Sequence, residues 1–484
     1  MMRRGRGLSA ASSRASRRTR AHTGGRIREH AATIIVAALA TLFAVTLILG
    51  TGVLTAALDP ELIEQSGTFR VVLLMVSAIF VLIALYVGAV VTANTFATVI
   101  AGRVRSIALL RLLGATSRYV RVRVAGEGLM MGALGSLLGF VVAEALVAVL
   151  TGFGPEWGWL PLGRDYPLFD PLALAAVVIV TLTTWLSAWV GTRRVAGVSP
   201  IAATGAAVEP APSVARERTG RTVWALILIA TGIGCLALGL LVGMVTPLGL
   251  FVAFLGGLGS FTGIVVGAHL IMPMLLRATG RLLGGSPTGR IAAANAVRTP
   301  DRSARSTIGL VIGVALVTMF AVALESYHSM TLRAFANDPA LADTLDQTLA
   351  ITTAIFTGLV GFSAVIAAVG LVNTLSLSVL QRTRELGLLR ALGFTGGQVR
   401  RMIMAESAQM TLAALGFGLG LGILYGWVAA QSLLGSQAGI APPTIPWPVL
   451  AGVVTLGIAL AIIAATAPAR RAIRLSPVAA LGVE

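Results

Sequence analysis

Glu127, Glu144, Glu406 and His269 stand inside stretches of sequence otherwise made of Leu, Val, Ala, Ile and Gly. Ionisable groups in such surroundings are costly unless something meets them, so each is either a structural pair or a place that contacts a polar substrate. Glu127 and Glu406 fall at matching points of two related sequences. Both are expected near the starts of their helices with arginines close by, which favours a structural or coupling role. Glu144 lies 17 residues beyond Glu127, about 25 Å along a helix, and has Ile423 as its counterpart. It could meet a cationic substrate or be a solvated residue near the outer interface, and His269 has the same two readings.

Other chemistry is missing from the chain. It contains no lysine, so neither a phosphate-binding G-x-x-x-x-G-K-[ST] loop nor a Schiff base can be built. No G-x-S-x-G nucleophile arrangement occurs. The single cysteine, Cys235, lies in an apolar run, and His22, His30, His269 and His328 lack metal-ligand spacing. The chain is therefore expected to be non-catalytic, with no metal, cofactor or internal disulfide of its own.

A second set of residues points to docking. The spacing R-x-R-x-x-x-L-L-R-x-L-G occurs twice. The first copy supplies Arg103, Arg105, Leu109, Leu110, Arg111, Leu113 and Gly114; the second supplies Arg382, Arg384, Leu388, Leu389, Arg390, Leu392 and Gly393. In helical projection Leu386, Leu388, Leu389 and Leu392 share one arc, Arg384 and Arg390 lie on the other, and Gly393 offers a stop. Such a short basic helix can rest at lipid headgroups. Lipid does not require one spacing kept in two copies, whereas a protein pocket does, and two matching knobs call for a two-fold partner. Glu385 falls within the leucine arc, where a carboxylate needs a donor from that partner; Ser106 takes its place in the first copy.

These residues need a membrane scaffold. The chain has 484 residues, 56% hydrophobic and 12% charged, about half the charge of an ordinary globular domain. Ten runs are long and apolar enough to span a bilayer: Ala31 to Ala57, Phe69 to Ile100, Ala125 to Thr151, Leu168 to Val190, Val223 to Val245, Leu248 to Leu276, Ser306 to Ser326, Leu349 to Leu380, Ala405 to Gln431 and Ile445 to Pro468. With both termini cytoplasmic, only Arg70, Arg164 and Arg333 of the 37 basic residues lie outside. The net charge of +18 is thus a topology signal, and no nucleic-acid partner is expected. The arginine-rich tail from Arg3 to Arg28 reads as a cytoplasmic anchor against anionic lipid.

An internal repeat organises the runs. A shift of 279 positions aligns Asn94 to Gly139 with Asn373 to Gly418 with 15 identities. "ALATLFAV" from Ala38 matches "ALVTMFAV" from Ala315, and "RRVAGVSPIAATG" from Arg193 matches "RRAIRLSPVAALG" from Arg470, both at a shift of 277. The expected fold is all-α and integral to the membrane, with ten transmembrane helices. Two parallel four-helix units, 31–205 and 286–484, would be joined by two extra helices in 206–285 and preceded by the basic tail 1–30.

"RTRELGLLRALGFTGGQVRRMIMAES" from Arg382 resembles the cytoplasmic motif of FtsX-like/MacB-type permeases, the membrane subunits of type VII ABC transporters. "GRIAAANAVRTPDRSARSTIGLVIGVALV" from Gly289 is similar to the elbow sequence before the second unit of ten-helix members. The resemblance implies that the two basic segments contact two copies of a separate ABC ATPase, which would hold the ATP and Mg, in a bacterial plasma membrane. Members often carry a large extracellular domain, but Leu58 to Thr68 and Tyr327 to Thr348 are short. The expected function is export or extraction of an amphipathic, lipid-like or antimicrobial compound. The alternatives are a mechanical transmitter acting on a cell-envelope enzyme or sensor kinase and, against the parallel repeat, an ion-coupled secondary transporter.

Overall fold

A computed structural model describes residues 33–53, 112–156, 165–196, 212–283, 300–335 and 392–474, with scattered positions between them, among them most of 81–93. Among the described residues all regular structure is helical. In chain order the helices are α1 (Thr33–Val53), α2 (Val81–Val90), α3 (Ser117–Phe153), α4 (Pro171–Ala196), α5 (Pro212–Gly243), α6 (Gly249–Val266), α7 (Ala268–Leu283), α8 (Pro300–Phe335), α9 (Gly396–Ala438) and α10 (Trp447–Arg474). Seven stretches, in α1, α3, α4, α5, α6, α8 and α9, are long and apolar enough to cross a membrane. This is an all-α, multi-pass membrane protein. The apolar runs expected at Phe69 to Ile100 and Leu349 to Leu380 fall largely outside the described residues.

Several helix limits differ from those that hydropathy marks. α3 and α9 begin at Ser117 and Gly396, each well before its apolar run, because a threonine cap starts the helix where the sequence is still polar. α8 continues to Phe335, through the first residues of the stretch expected as a loop from Tyr327. The run from Leu248 to Leu276 is not one span: α6 ends at Val266 and α7 starts at Ala268. Gly267 caps α6 through its N–H, and Pro273 cannot donate to the carbonyl of His269, so the ladder breaks here.

The described helices fall in two compact units, one of residues 1–59 and 81–206, the other of 60–80 and 207–484. In the first, α1 and α3 run parallel with their backbones almost touching. A methyl at Gly135 would lie 2.6 Å from the Ile34 carbonyl oxygen, and at Gly139 it would collide with the carbonyl of Ala38. Gly132 takes α4 on another side, against Thr184, beside a hydrogen bond of 2.8 Å between Ser136 Oγ and Thr181 Oγ1. Lipid supplies no hydrophobic drive to bring helices together, so glycine faces that permit close van der Waals packing do this instead.

The second unit uses the same device more widely. α5 and α6 form an antiparallel hairpin in which Gly232 meets Ser260 and Gly239 meets Ala253. α8 and α9 pack through Gly418 on Val311 and Val314, Gly422 on Ala315 and Thr318, and Gly426 on Met319, Val322 and Ala323. α9 is also tied by side chains: Tyr425 Oη to Ser260 Oγ of α6 at 2.9 Å, and Gln409 Nε2 to the Leu276 carbonyl of α7 at 2.6 Å.

Candidate functional site

The sequence that follows the two basic stretches folds into one turn, made twice. In the first copy the N–H of Leu113 donates to the Leu109 carbonyl at 3.1 Å, closing a helical turn. The next residue, Gly114, has φ +96°. Thr116 then sits in extended conformation, φ −72° and ψ 152°, and its Oγ1 accepts from the Tyr119 N–H at 3.2 Å to start α3. In the second copy Gly393 has φ +98°, and Thr395 has φ −70° and ψ 153° with Oγ1 accepting from the Gln398 N–H at 3.3 Å. Gln398 Oε1 returns a bond to the Thr395 N–H at 2.9 Å, completing a capping box absent from the first copy, where Tyr119 stands in that place.

Open space surrounds the missing Cβ of both Gly114 and Gly393, so glycine is required by the left-handed backbone and not by crowding. The turn leaves leucines without cover. Leu113 is 86% exposed and its counterpart Leu392 is 71% exposed, with Leu109 and Leu112 about half exposed. Arg118, the second residue of α3, and Arg400, the fifth of α9, are exposed as well. Arg121 lies over the ring of Trp189 at 4.4 Å, joining the start of α3 to α4. Arg103, Arg105, Leu110, Arg111, Arg382, Arg384, Glu385, Leu388, Leu389 and Arg390 lie outside the described residues.

A scan against family models matches the FtsX-like permease C-terminal domain at residues 78–200 and again at 357–477, together half of the chain. Gly114 and Gly393 fall at the same distance from the start of the two matched regions. The chain belongs to the FtsX-like permease family. Among its curated relatives, an uncharacterized ABC transporter permease of Bacillus subtilis, YknZ, is 33% identical over 160 residues, covering 33% of this chain and 37% of that protein. Another uncharacterized ABC transporter permease, from Methanocaldococcus jannaschii, is 30% identical over 143 residues, 29% of this chain and 35% of its own length. The macrolide export ATP-binding/permease protein MacB of Vibrio parahaemolyticus is 26% identical over 145 residues, 30% of this chain and 21% of MacB. The similarity thus spans from about a fifth to little more than a third of each relative.

The isolated polar residues of this FtsX-like permease separate on inspection. Glu127 and Glu406 stand ten residues after Ser117 and Gly396, beyond the first turn, so the helix dipole expected to favour them does not reach. Arg123 Nε is 3.9 Å from Glu127 Oε1, a half-exposed pair one turn apart, while Glu406 is buried. His269 has a partner at each ring nitrogen. Its Nδ1 lies 3.2 Å from the Val266 carbonyl and its Nε2 3.2 Å from Thr222 Oγ1. A neutral ring with the proton on Nδ1 serves both, donating to the carbonyl and accepting from the hydroxyl. Arg221 Nε donates to the same carbonyl at 2.9 Å, so α5 and α7 together satisfy the end of α6.

Glu144 is different: its Oε1 is buried with no hydrogen-bond partner. Sequence reasoning missed a set of buried amides. Gln431 Nε2 donates to the Gly439 carbonyl at 2.7 Å and its Oε1 accepts from the Ala441 N–H at 3.0 Å, fixing the segment after α9. The available signal was a glutamine inside an otherwise apolar run, which must find partners within the protein.

Proposed function

We propose that this FtsX-like permease couples two copies of a separate ATPase, which hold ATP and Mg, to the export or extraction of an amphipathic or lipid-like molecule. The observation that carries this is the duplicated turn: exposed leucines presented by the same glycine and threonine geometry at the starts of two long membrane helices. An exposed leucine beside basic residues is an anchor for a complementary apolar pocket, and rim arginines add steering toward an acidic edge. The turns face the cytoplasm in this reading, with both termini on that side, because basic residues crowd the segments that adjoin them. The export activity in the name of MacB, a relative over part of the chain, supports movement of a small amphipathic compound outward.

Leu113→Asp and Leu392→Asp test the coupling. Each puts a charge into a desolvated contact, and each should lower ATP hydrolysis by the copurified ATPase in lipid nanodiscs by about tenfold or more, with the permease itself inserted normally. Wild-type hydrolysis and unchanged copurification in both variants would show that these leucines meet lipid.

A further inference from the structure

Two polar side chains of the first unit have no role in anything above. Glu144 Oε1 on α3 and Thr46 Oγ1 on α1 are each buried without a hydrogen-bond partner. The helix register brings them to one level. Gly135 meets Ile34 and Ala38, and Gly139 meets Ala38 and Leu42, so the next turn of α3 places Ala143 against Leu42 and Thr46. The second unit shows that same step, where Gly426 meets Met319 and Ala323, the repeat counterparts of Leu42 and Thr46. Glu144 follows Ala143 directly.

The surroundings define what could occupy this place. Ala143 and Val147 are buried, whereas Val141, Val142 and Leu146 are more than half exposed, so Glu144 stands where the packed side of α3 gives way to its open apolar side. A carboxyl group with one oxygen buried here is met either by a proton or by a cation, and its ionised form calls for a cation that no described residue supplies. One carboxylate and one hydroxyl offer too few oxygens to strip water from a metal ion. They suit instead an ammonium whose other substituents are apolar. The second unit has Ala323 in place of Thr46, and Ile423 or, one turn on, Trp427 in place of Glu144, so the arrangement is not a requirement of the shared fold.

We propose that Glu144 and Thr46 form the head-group site for a cationic amphiphile whose apolar part lies along Val141, Val142 and Leu146. Thr46 is seven residues and Glu144 nine residues before the ends of their helices, so in the orientation proposed above the site opens toward the outer leaflet. Its use as a transport site rests on the export reading, but occupancy does not, and the test needs no ATPase.

The full chain in phosphatidylcholine nanodiscs, without nucleotide, is treated with dicyclohexylcarbodiimide, and modification of Glu144 is read by peptide mass spectrometry. Dodecyltrimethylammonium should protect Glu144, and dodecanol at equal membrane load should not. Retention of dodecyltrimethylammonium above the empty-disc background should fall about tenfold or more in Glu144→Gln and about threefold in Thr46→Val. Equal modification with and without the cation overturns the proposal, even if the glutamine variant does not assemble. Wild-type retention by a folded Glu144→Gln variant overturns it as well. Failure here leaves the leucine experiments untouched, and failure of those leaves this result standing.

Discussion

The two units pack their first and third helices with the same device at different heights. Nineteen residues after its threonine cap, α3 brings Gly135 against the Ile34 carbonyl. In the second unit the counterpart of Ile34 is Val311, and α9 reaches that carbonyl only at Gly418, 23 residues after Thr395. The next contacts repeat the offset: Gly139 on Ala38 corresponds to Gly422 on Ala315. Relative to the first helix of its own unit, α9 is therefore displaced by one turn, about 6 Å. Where the glycines stand explains this. α3 has glycine at 135 and 139 and Ala143 next, whereas α9 has Ala414 first and then glycine at 418, 422 and 426. A backbone carbonyl can be approached this closely only where no Cβ intervenes, so the glycine ladder sets the height of the helix and the rest of the sequence follows.

Substitutions can break or sharpen that comparison. By position in the repeat Gly139 matches Gly418; by contact it matches Gly422. Gly139→Ala and Gly422→Ala should each destabilise by about 2–3 kcal/mol in a denaturant titration, because the added methyl meets backbone. Gly418→Ala should cost less, since the added methyl has more room there, 2.9 Å from Val314 Cβ and 3.2 Å from the Val311 carbonyl oxygen. The reverse ranking would mean that the units share one register. A smaller effect, the same in both units, is expected at the turns. Gly114→Ala and Gly393→Ala should each cost about 1–2 kcal/mol, since alanine resists the left-handed region, and both should lower ATPase copurification. The smallest effect separates the units again. Thr116→Ala and Thr395→Ala each remove one cap bond of about 1 kcal/mol, but α9 keeps the Gln398 bond to residue 395. Amide exchange should therefore rise more at Tyr119 than at Gln398. Adding Gln398→Ala should remove the difference.

How much of this was legible depended on the kind of signal. Membrane character, helical class and the duplicated unit followed from composition and from identities kept at a fixed shift, which are properties of the chain alone. The left-handed turn at Gly393 was legible because glycine is the residue free to adopt positive φ. The caps carried a signal, Thr395 three residues before Gln398, that hydropathy does not weigh, and so the starts of α3 and α9 were placed too late. The break at Gly267 was hidden because the run through it is apolar on both sides; the carbonyl of Val266 is satisfied by His269, three residues on, and by Arg221 from beyond the other end of α6. The one-turn offset was hidden as well. Identity aligns residues with residues, whereas helix height is decided by which backbone can be approached.

Both turns are mounted on helices that exceed the thickness of a bilayer. α3 has 37 residues and α9 has 43, about 55 and 65 Å against a hydrocarbon core of about 30 Å. Neither contains proline, the usual cause of a sharp bend. Each is a single continuous helix that reaches from its threonine cap well past the far side of the hydrocarbon core, with the proportions of a pushrod. Under the coupling proposed above, Leu113 and Leu392 mark the end of each rod at which a load would enter.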